Sequence, residues 1–371
     1  MRILLMGAVP SVDLERHTSV SDRLMATGGN VGNQLIGYGA LKTIKYTSIS
    51  CDYSAGPDSV NENFDKIVIP AANFINSNSD FSGWANFLEA TRLPIVVMGL
   101  GAQASTTNNP KISLKPGTTK FINLLSQRCH TLGVRGEFTA EVLYRMGINN
   151  TQVIGCPSYY IGPEEIPVKT KETIRLDNSV VIHCSRDVIG HSSDPVKMHQ
   201  LVNGLYREAS KIDATFIAQT EKEEMLLATD IDSTVRADAV RAILDSLSIN
   251  EEVEMVTNWL ERRMRVFWNV EEWIGTLRAA SFVIGTRIHG TIAAMHAGVP
   301  AICLAHDSRT KELCDFLSIP MVEIEKIGDF QLQYLRDQYD PSSLNLKRRR
   351  LMDLYEYFLI RNGLVPAIRG G

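Results

Sequence analysis

The chain has 371 residues, too many for one ordinary hydrophobic core and about right for two α/β domains of roughly 150 residues each. Hydrophobic residues make up 44% and charged residues 22%, the balance of a folded protein, which excludes a long disordered tail. A formal net charge of -4 excludes an overall basic field, so nucleic acid is not an expected partner and an anionic ligand must meet local arginines.

Residues 1–7 form an apolar run too short for a secretion signal, and no later run approaches the ~20 apolar residues of a membrane span. A cytoplasmic setting is therefore expected. Short aliphatic or β-branched runs at residues 2–6, 66–70, 95–98, 131–134, 152–154, 179–183, 214–218, 265–267, 282–284 and 301–304 each lead into a turn and a helix-compatible stretch. Strands alternating with helices predict parallel sheets covered on both faces.

After the first strand, residues 28–33 (GGNVGN) open a helix over residues 34–44. Glycines there let a ligand approach the backbone and the helix start supplies donors, although turns also need glycine for their own conformations. Asn30, Gly32 and Asn33 are the candidates from this loop. Residues 99–103 (GLGAQ) end one strand, and Arg135 stands at the carboxyl end of another, ahead of a helix over residues 137–146. It either faces a cleft or pairs with a local acid.

Residues 162–178 (GPEEIPVKTKETIRLDN) carry two prolines and many charges between apolar strands, which places the boundary between two Rossmann-like domains there, residues 1–165 and 175–335. His183, Ser185, Arg186 and Asp187 follow the first strand of the second domain and face its partner across a cleft. His183 and Arg186 are candidates, beside the plainer reading of a structural pair.

Residues 281–297 (SFVIGTRIHGTIAAMHA) join a buried strand to a glycine, a polar turn and a small-residue helix. In open α/β sheets such strand ends hold ligands. Thr286 or His289 caps the helix, whose positive end suits an anion, and Arg287 offers a planar five-donor fork for carboxylate or phosphate. His289, two residues on, moves protons near neutral pH or is a capping or core histidine. After the next strand, Arg309 and Lys311 either share the anion with Arg287 or belong to a solvated loop.

Residues 336–371 contain a helix with Leu344, Leu351, Leu354, Tyr355, Phe358 and Leu359 at helical spacing, packing on or crossing back to the first domain. The basic run at residues 347–350 (KRRR) lies on its other, solvated faces. The six cysteines are scattered without a C-x-x-C pair and read as buried free thiols, with no metal site. The motifs of P-loop nucleotidases, zincins and serine hydrolases are absent.

Four segments together resemble the polysaccharide pyruvyl transferase family: GGNVGNQLIGYGAL at residues 28–41, GVRGEFTAEVLYRMGI at 133–148 followed by GCPS, SFVIGTRIHGTIAAMHAGVPAICL at 281–304, and HDSRTKELCDFLSIP at 306–320. The resemblance implies a GT-B-like α/β fold of two Rossmann-like domains with parallel sheets and the active site in the interdomain cleft. It implies phosphoenolpyruvate as co-substrate, no further cofactor or metal, and a sugar or lipid-linked oligosaccharide as acceptor. The product would be a pyruvate ketal bridging two sugar hydroxyls, with phosphate released.

Carried over by motif, the family's arginine and histidine fall on Arg287 and His289, and its first-domain arginine on Arg135. The donor set expected is then Arg287, Arg135, Arg186, Arg309 and Lys311, with Asn30, Gly32, Asn33 and His183 on the acceptor side. Two departures stand out: Asn33 where the family often has aspartate, and Ala71, Ala72 and Asn73 where it has a glycine-rich turn. A lipid-linked acceptor would bring the protein to the inner membrane surface, and a homo-oligomer is compatible with the sequence. Two other readings fit the residues: a nucleotide-sugar glycosyltransferase of the same fold, and a non-catalytic glycan-binding homologue, which Asn33 favours.

Overall fold

The computed structural model describes residues 1–103, 112–167, 169–186, 189–190, 192, 194–229, 232–328 and 330–368. Asp187 lies outside them. The first sheet contains β1 (Arg2–Leu5), β2 (Ser48–Ser50), β3 (Lys66–Pro70) and β4 (Ile95–Met98) in the order β2-β1-β3-β4, all parallel. A bridge from Leu100 to Val134 extends it to the parallel pair β5 (Leu132–Val134) and β6 (Thr151–Val153). In β3 (KIVIP) and β4 (IVVM) every residue is buried, as expected of parallel strands covered on both faces.

The second sheet holds β7 (Val180–His183), β8 (Thr215–Ile217), β9 (Met264–Arg265), β10 (Phe282–Gly285), β11 (Ala301–Ala305) and β12 (Met321–Glu323), in the order β12-β11-β10-β7-β8-β9. Counted along the chain this is the doubly wound 3-2-1-4-5-6 arrangement, whose order reverses between β7 and β10. There His183 pairs in register with Gly285, so the carboxyl ends of the two strands stand side by side. Two doubly wound parallel α/β domains facing one another make the fold GT-B-like.

The two strands not signalled by apolar runs, β2 and β12, are three-residue edge strands with partly exposed side chains. One hydrophobic cluster joins the domains, with Ile3, Val96 and Tyr160 packing in the same group as Val181, Met295 and Leu317. The terminal helix Leu344–Arg361 belongs to this group as well. Tyr355 stacks on Tyr160 at 4.1 Å between ring centroids, and its hydroxyl meets Thr43 Oγ1 at 3.1 Å. Beyond the helix, Lys66 Nζ donates to the Asn362 carbonyl at 2.6 Å.

One basic residue corrects the reading of the KRRR run. Lys347, Arg349 and Arg350 are exposed, but Arg348 is fully buried with its guanidinium 4.9 Å over the Tyr159 ring. It donates to the carbonyls of Tyr159 (2.6 Å), Ile161 (3.0 Å) and Pro163 (2.9 Å). These carbonyls lie where the chain leaves the first domain, in an irregular segment that lacks ladder partners, so the buried cation satisfies acceptors that would otherwise be orphaned.

Candidate active site

β10 ends at Gly285, and Arg287 takes the N-cap position of helix Ile288–His296 without a side-chain capping bond. Neither Thr286 nor His289 caps the helix, in contrast to expectation. Thr286 instead accepts from the Ser185 amide at 3.3 Å. An uncapped helix start leaves amide donors and a positive dipole end beside Arg287. Arg287 Nη2 donates to Ser185 Oγ and to Thr220 Oγ1, the latter at 2.9 Å, and both hydroxyls bond in turn to the Glu221 carboxylate. Ser185 and Thr220 follow β7 and β8, so three neighbouring strands build this corner.

His289 is 5% exposed, and first-domain residues enclose it. Its Nε2 lies 3.6 Å from Cys156 Sγ, while the loop holding Gly32 covers its Cβ. A methyl group on Gly32 would stand 3.1 Å from His289 Cβ and 2.7 Å from Gln219 Oε1, so a larger residue would have to displace the Gln219 side chain and press on His289. Burial, then the charges of Arg135, Arg309 and Arg287, hold the His289 imidazole well below its ordinary pKa. The ring is therefore neutral in the unliganded site, where burial and the three guanidinium charges oppose its protonation.

His183 is a second neutral imidazole, its pKa pushed down to about 3 by burial and by Arg287. Its ring is packed against Gly285 and Gly290, where a methyl on Gly290 would fall 2.6 Å from Cδ2. The glycines flanking T-R-I-H thus make room for His183. Among the described residues neither of its ring nitrogens has a hydrogen-bond partner.

Arg135, 2% exposed, enters from the first domain. It donates to the Gly99 carbonyl (3.0 Å), Asn73 Oδ1 (2.7 Å) and the Ala71 carbonyl (3.4 Å). The segment that departs from the family's glycine-rich turn is thus the one that grips this arginine. Arg309 pairs with Asp307 at 3.1 Å and reaches Gln103 Oε1 in the first domain at 3.4 Å. Asp307 caps helix Ser308–Leu317. Burial alone would raise its pKa, yet Arg309, His306 and the Thr310 amide hold it well below the carboxylate range.

Two expected donor ligands do not join this group. Arg186 is bound by Glu224 (2.8 Å), Glu223 (2.7 Å) and Ser246 (2.9 Å). Glu224 is fully buried, and a buried carboxylate needs that cation. Lys311 is 42% exposed and pairs with Asp315 at 3.2 Å and Glu323 at 3.5 Å. The cations whose charges bear on His289 are Arg135, Arg309 and Arg287, Arg309 among them while paired with Asp307.

Asn30 caps a short turn by accepting from the Gly32 amide at 2.8 Å, and Asn33 Nδ2 donates to the Thr27 carbonyl at 3.0 Å. An aspartate could not make that second bond, so the departure at Asn33 is built into the loop. The Val31 amide donates to the Gln219 carbonyl at 2.8 Å and pins the loop to the end of β8. Gln219, Thr220 and Glu221 were not singled out from the sequence, although their place after a strand is the same signal that marked Arg287. Glu312 was also missed. It accepts from the Thr139 amide at 3.0 Å and so caps helix Glu137–Arg145 from the other domain. Among the described residues no group of three or more His, Cys, Asp or Glu side chains gathers as a metal site, and no helix is long and apolar enough to cross a membrane.

No curated protein matches the chain. Solved structures that resemble it include Methanocaldococcus jannaschii UDP-GlcNAc 2-epimerase in complex with UDP-GlcNAc and UDP, at 13% identity and a TM-score of 0.42, covering 100% of this chain and 96% of that one. The Neisseria meningitidis UDP-GlcNAc 2-epimerase bound to UDP-GlcNAc is similar at 11% identity and a TM-score of 0.43, covering 98% and 100%. The model of the family described as polysaccharide pyruvyl transferase matches residues 30–308. That span includes Arg135, Arg287 and His289, and the chain belongs to the polysaccharide pyruvyl transferase family.

Proposed function

We propose that the protein transfers the pyruvyl group of phosphoenolpyruvate to a sugar of a polysaccharide or glycan precursor, forming a ketal and releasing phosphate. The observation that carries this reading is the convergence of Arg287, Arg135 and Arg309 on neutral His289 at the domain seam. Phosphoenolpyruvate brings about -1.5 to -2 on its phosphate and one carboxylate charge. A buried site for it needs about three guanidinium charges or equivalent donors.

In this scheme the donor's methylene carbon takes a proton and its central carbon becomes oxocarbenium-like, with the arginines stabilising the phosphate. One sugar hydroxyl attacks that carbon, the C–O bond to phosphate breaks, and a second hydroxyl closes the ketal. Two hydroxyl protons are given up: one balances the new methyl group and the other leaves with phosphate. His289, neutral at the start, accepts a hydroxyl proton and returns it.

Incubation with phosphoenolpyruvate and a panel of galactosides, mannosides and N-acetylated sugars tests the reading, with phosphate release coupled to a mass gain on one sugar as the expected result. Nucleotide release from a sugar donor would replace this reading by glycosyl transfer. Glycan binding indifferent to Arg287→Ala, without turnover, would replace it by a non-catalytic role. The rate should be unchanged in chelator.

A further inference from the structure

We propose that Glu221 is a positioning residue that fixes the Arg287 guanidinium for its anionic ligand through the hydroxyls of Ser185 and Thr220. This rests on the reading of Arg287 as an anion ligand. Glu221 is 6% exposed and stands at the N-cap of helix Lys222–Ala228, but its side chain makes no capping bond there. Its two oxygens take one hydroxyl each, Oε1 from Ser185 and Oε2 from Thr220 at 2.5 Å. The same two hydroxyl oxygens accept from Arg287 Nη2.

The direction of this ring is determined by its members. A guanidinium only donates, a carboxylate only accepts, and a hydroxyl has one proton. With Glu221 taking both hydroxyl protons, both oxygens must turn their lone pairs to Arg287. Thr220 Oγ1 also lies 3.2 Å from Ser185 Oγ, a longer contact that yields to the 2.5 Å bond with Glu221. Nη2 is thereby held at two points, which stops the guanidinium plane from rotating.

Two hydroxyls set the Glu221 charge one layer back from Arg287, and Coulomb attraction weakens with that separation, while the hydroxyls transmit its orientation.

Glu221→Gln is nearly isosteric, but its amide nitrogen donates, so one hydroxyl loses the acceptor for its proton and is no longer held with its lone pairs toward Nη2. The expected result is a donor KM raised about 10- to 100-fold, the scale of one lost charge-assisted bond, with a smaller change in kcat and an unaltered thermal midpoint. In a Ser185→Ala, Thr220→Val background the same change should raise KM no further. A donor KM within about twofold of wild type for Glu221→Gln, or effects that multiply across the two backgrounds, would overturn the inference.

Inorganic phosphate titrated by calorimetry separates this from the assigned reaction. If wild type binds phosphate but does not turn over phosphoenolpyruvate, the assigned reaction fails, and weaker phosphate binding by Glu221→Gln still upholds the positioning role. Equal phosphate affinity in the two proteins refutes that role, as does a wild type that binds no phosphate.

Discussion

At the scale of single residues the site is a balance of three cations against two imidazoles that stay neutral. His289→Ala should lower turnover about 10²- to 10⁴-fold, the usual contribution of a general acid–base group, and full activity in that variant would refute its role. The ring's own titration is a finer measure. Ring-proton NMR of the ligand-free protein should show His289 neutral at and above its ordinary value of 6.5, since burial and three arginines depress its pKa. Arg309→Ala removes one of those charges and should move the pKa upward, and a bound trianionic donor should do the same. Among the lysine and arginine candidates the structure predicts a contrast. Arg309→Ala should raise the donor KM about 10-fold or more, whereas Lys311→Ala should leave it unchanged, because Lys311 is 42% exposed and held by Asp315 and Glu323.

At the scale of elements, two segments hold the halves in register. The loop of residues 28–33 reaches across to Gln219 and His289, and its closeness depends on Gly32. Gly32→Ala would set a methyl group 2.7 Å from a buried Gln219 oxygen, and should cut kcat/KM by about tenfold or more with little change in circular dichroism. The terminal helix works from the opposite side through Arg348. Replacing Arg348 by Met strips three carbonyls of their donors, which should cost about 3 kcal/mol or more, read as a lowered urea midpoint. The residue looks like part of a solvated basic run because its neighbours at 347, 349 and 350 are exposed. One helix position in four turned inward sufficed to bury it.

For the molecule as a whole, burial of charge-changing groups makes stability depend on pH. His183 is depressed to about 3 and His296 to about 4, and His289 and His306 are lowered as well, burial being the first cause in each. Below the unfolded value near 6.5 the unfolded chain binds protons that the folded one refuses. Stability should therefore fall with pH from about 6.5 downward, by about 1.4 kcal/mol per pH unit for each histidine. Burial of Glu224 and Glu312 acts in the opposite sense, since their raised pKa values penalise the folded state as pH rises above the usual glutamate range. The four histidines outnumber them, so urea midpoints compared at pH 7.5 and pH 5 should favour the higher pH. Equal midpoints would show that the buried rings carry no linkage.

Much of this was legible from residues alone. Ten of the twelve strands among the described residues follow from apolar runs, because most strands of a parallel sheet are covered on both faces and so are largely apolar. The place of Arg287 and His289 just past a strand's carboxyl end was legible, because the chain marks such ends with glycine and polar residues. The partners of a charge were not legible. Arg186, Arg309 and Lys311 all stand in polar loops or at helix starts, and which one meets an anion depends on where Glu223, Glu224, Asp315 and Glu323 come to rest. Nor could spacing show that Glu221 stands behind Arg287, or that Glu312 caps a helix of the other domain. Local order follows from residue type and periodicity, which neighbours along the chain share. Pairs such as Lys311–Asp315 are local, but the partners of Arg186, the Ser185–Glu221 contact and the Glu312 cap join residues dozens of positions apart or more, and only the packed tertiary structure decides those.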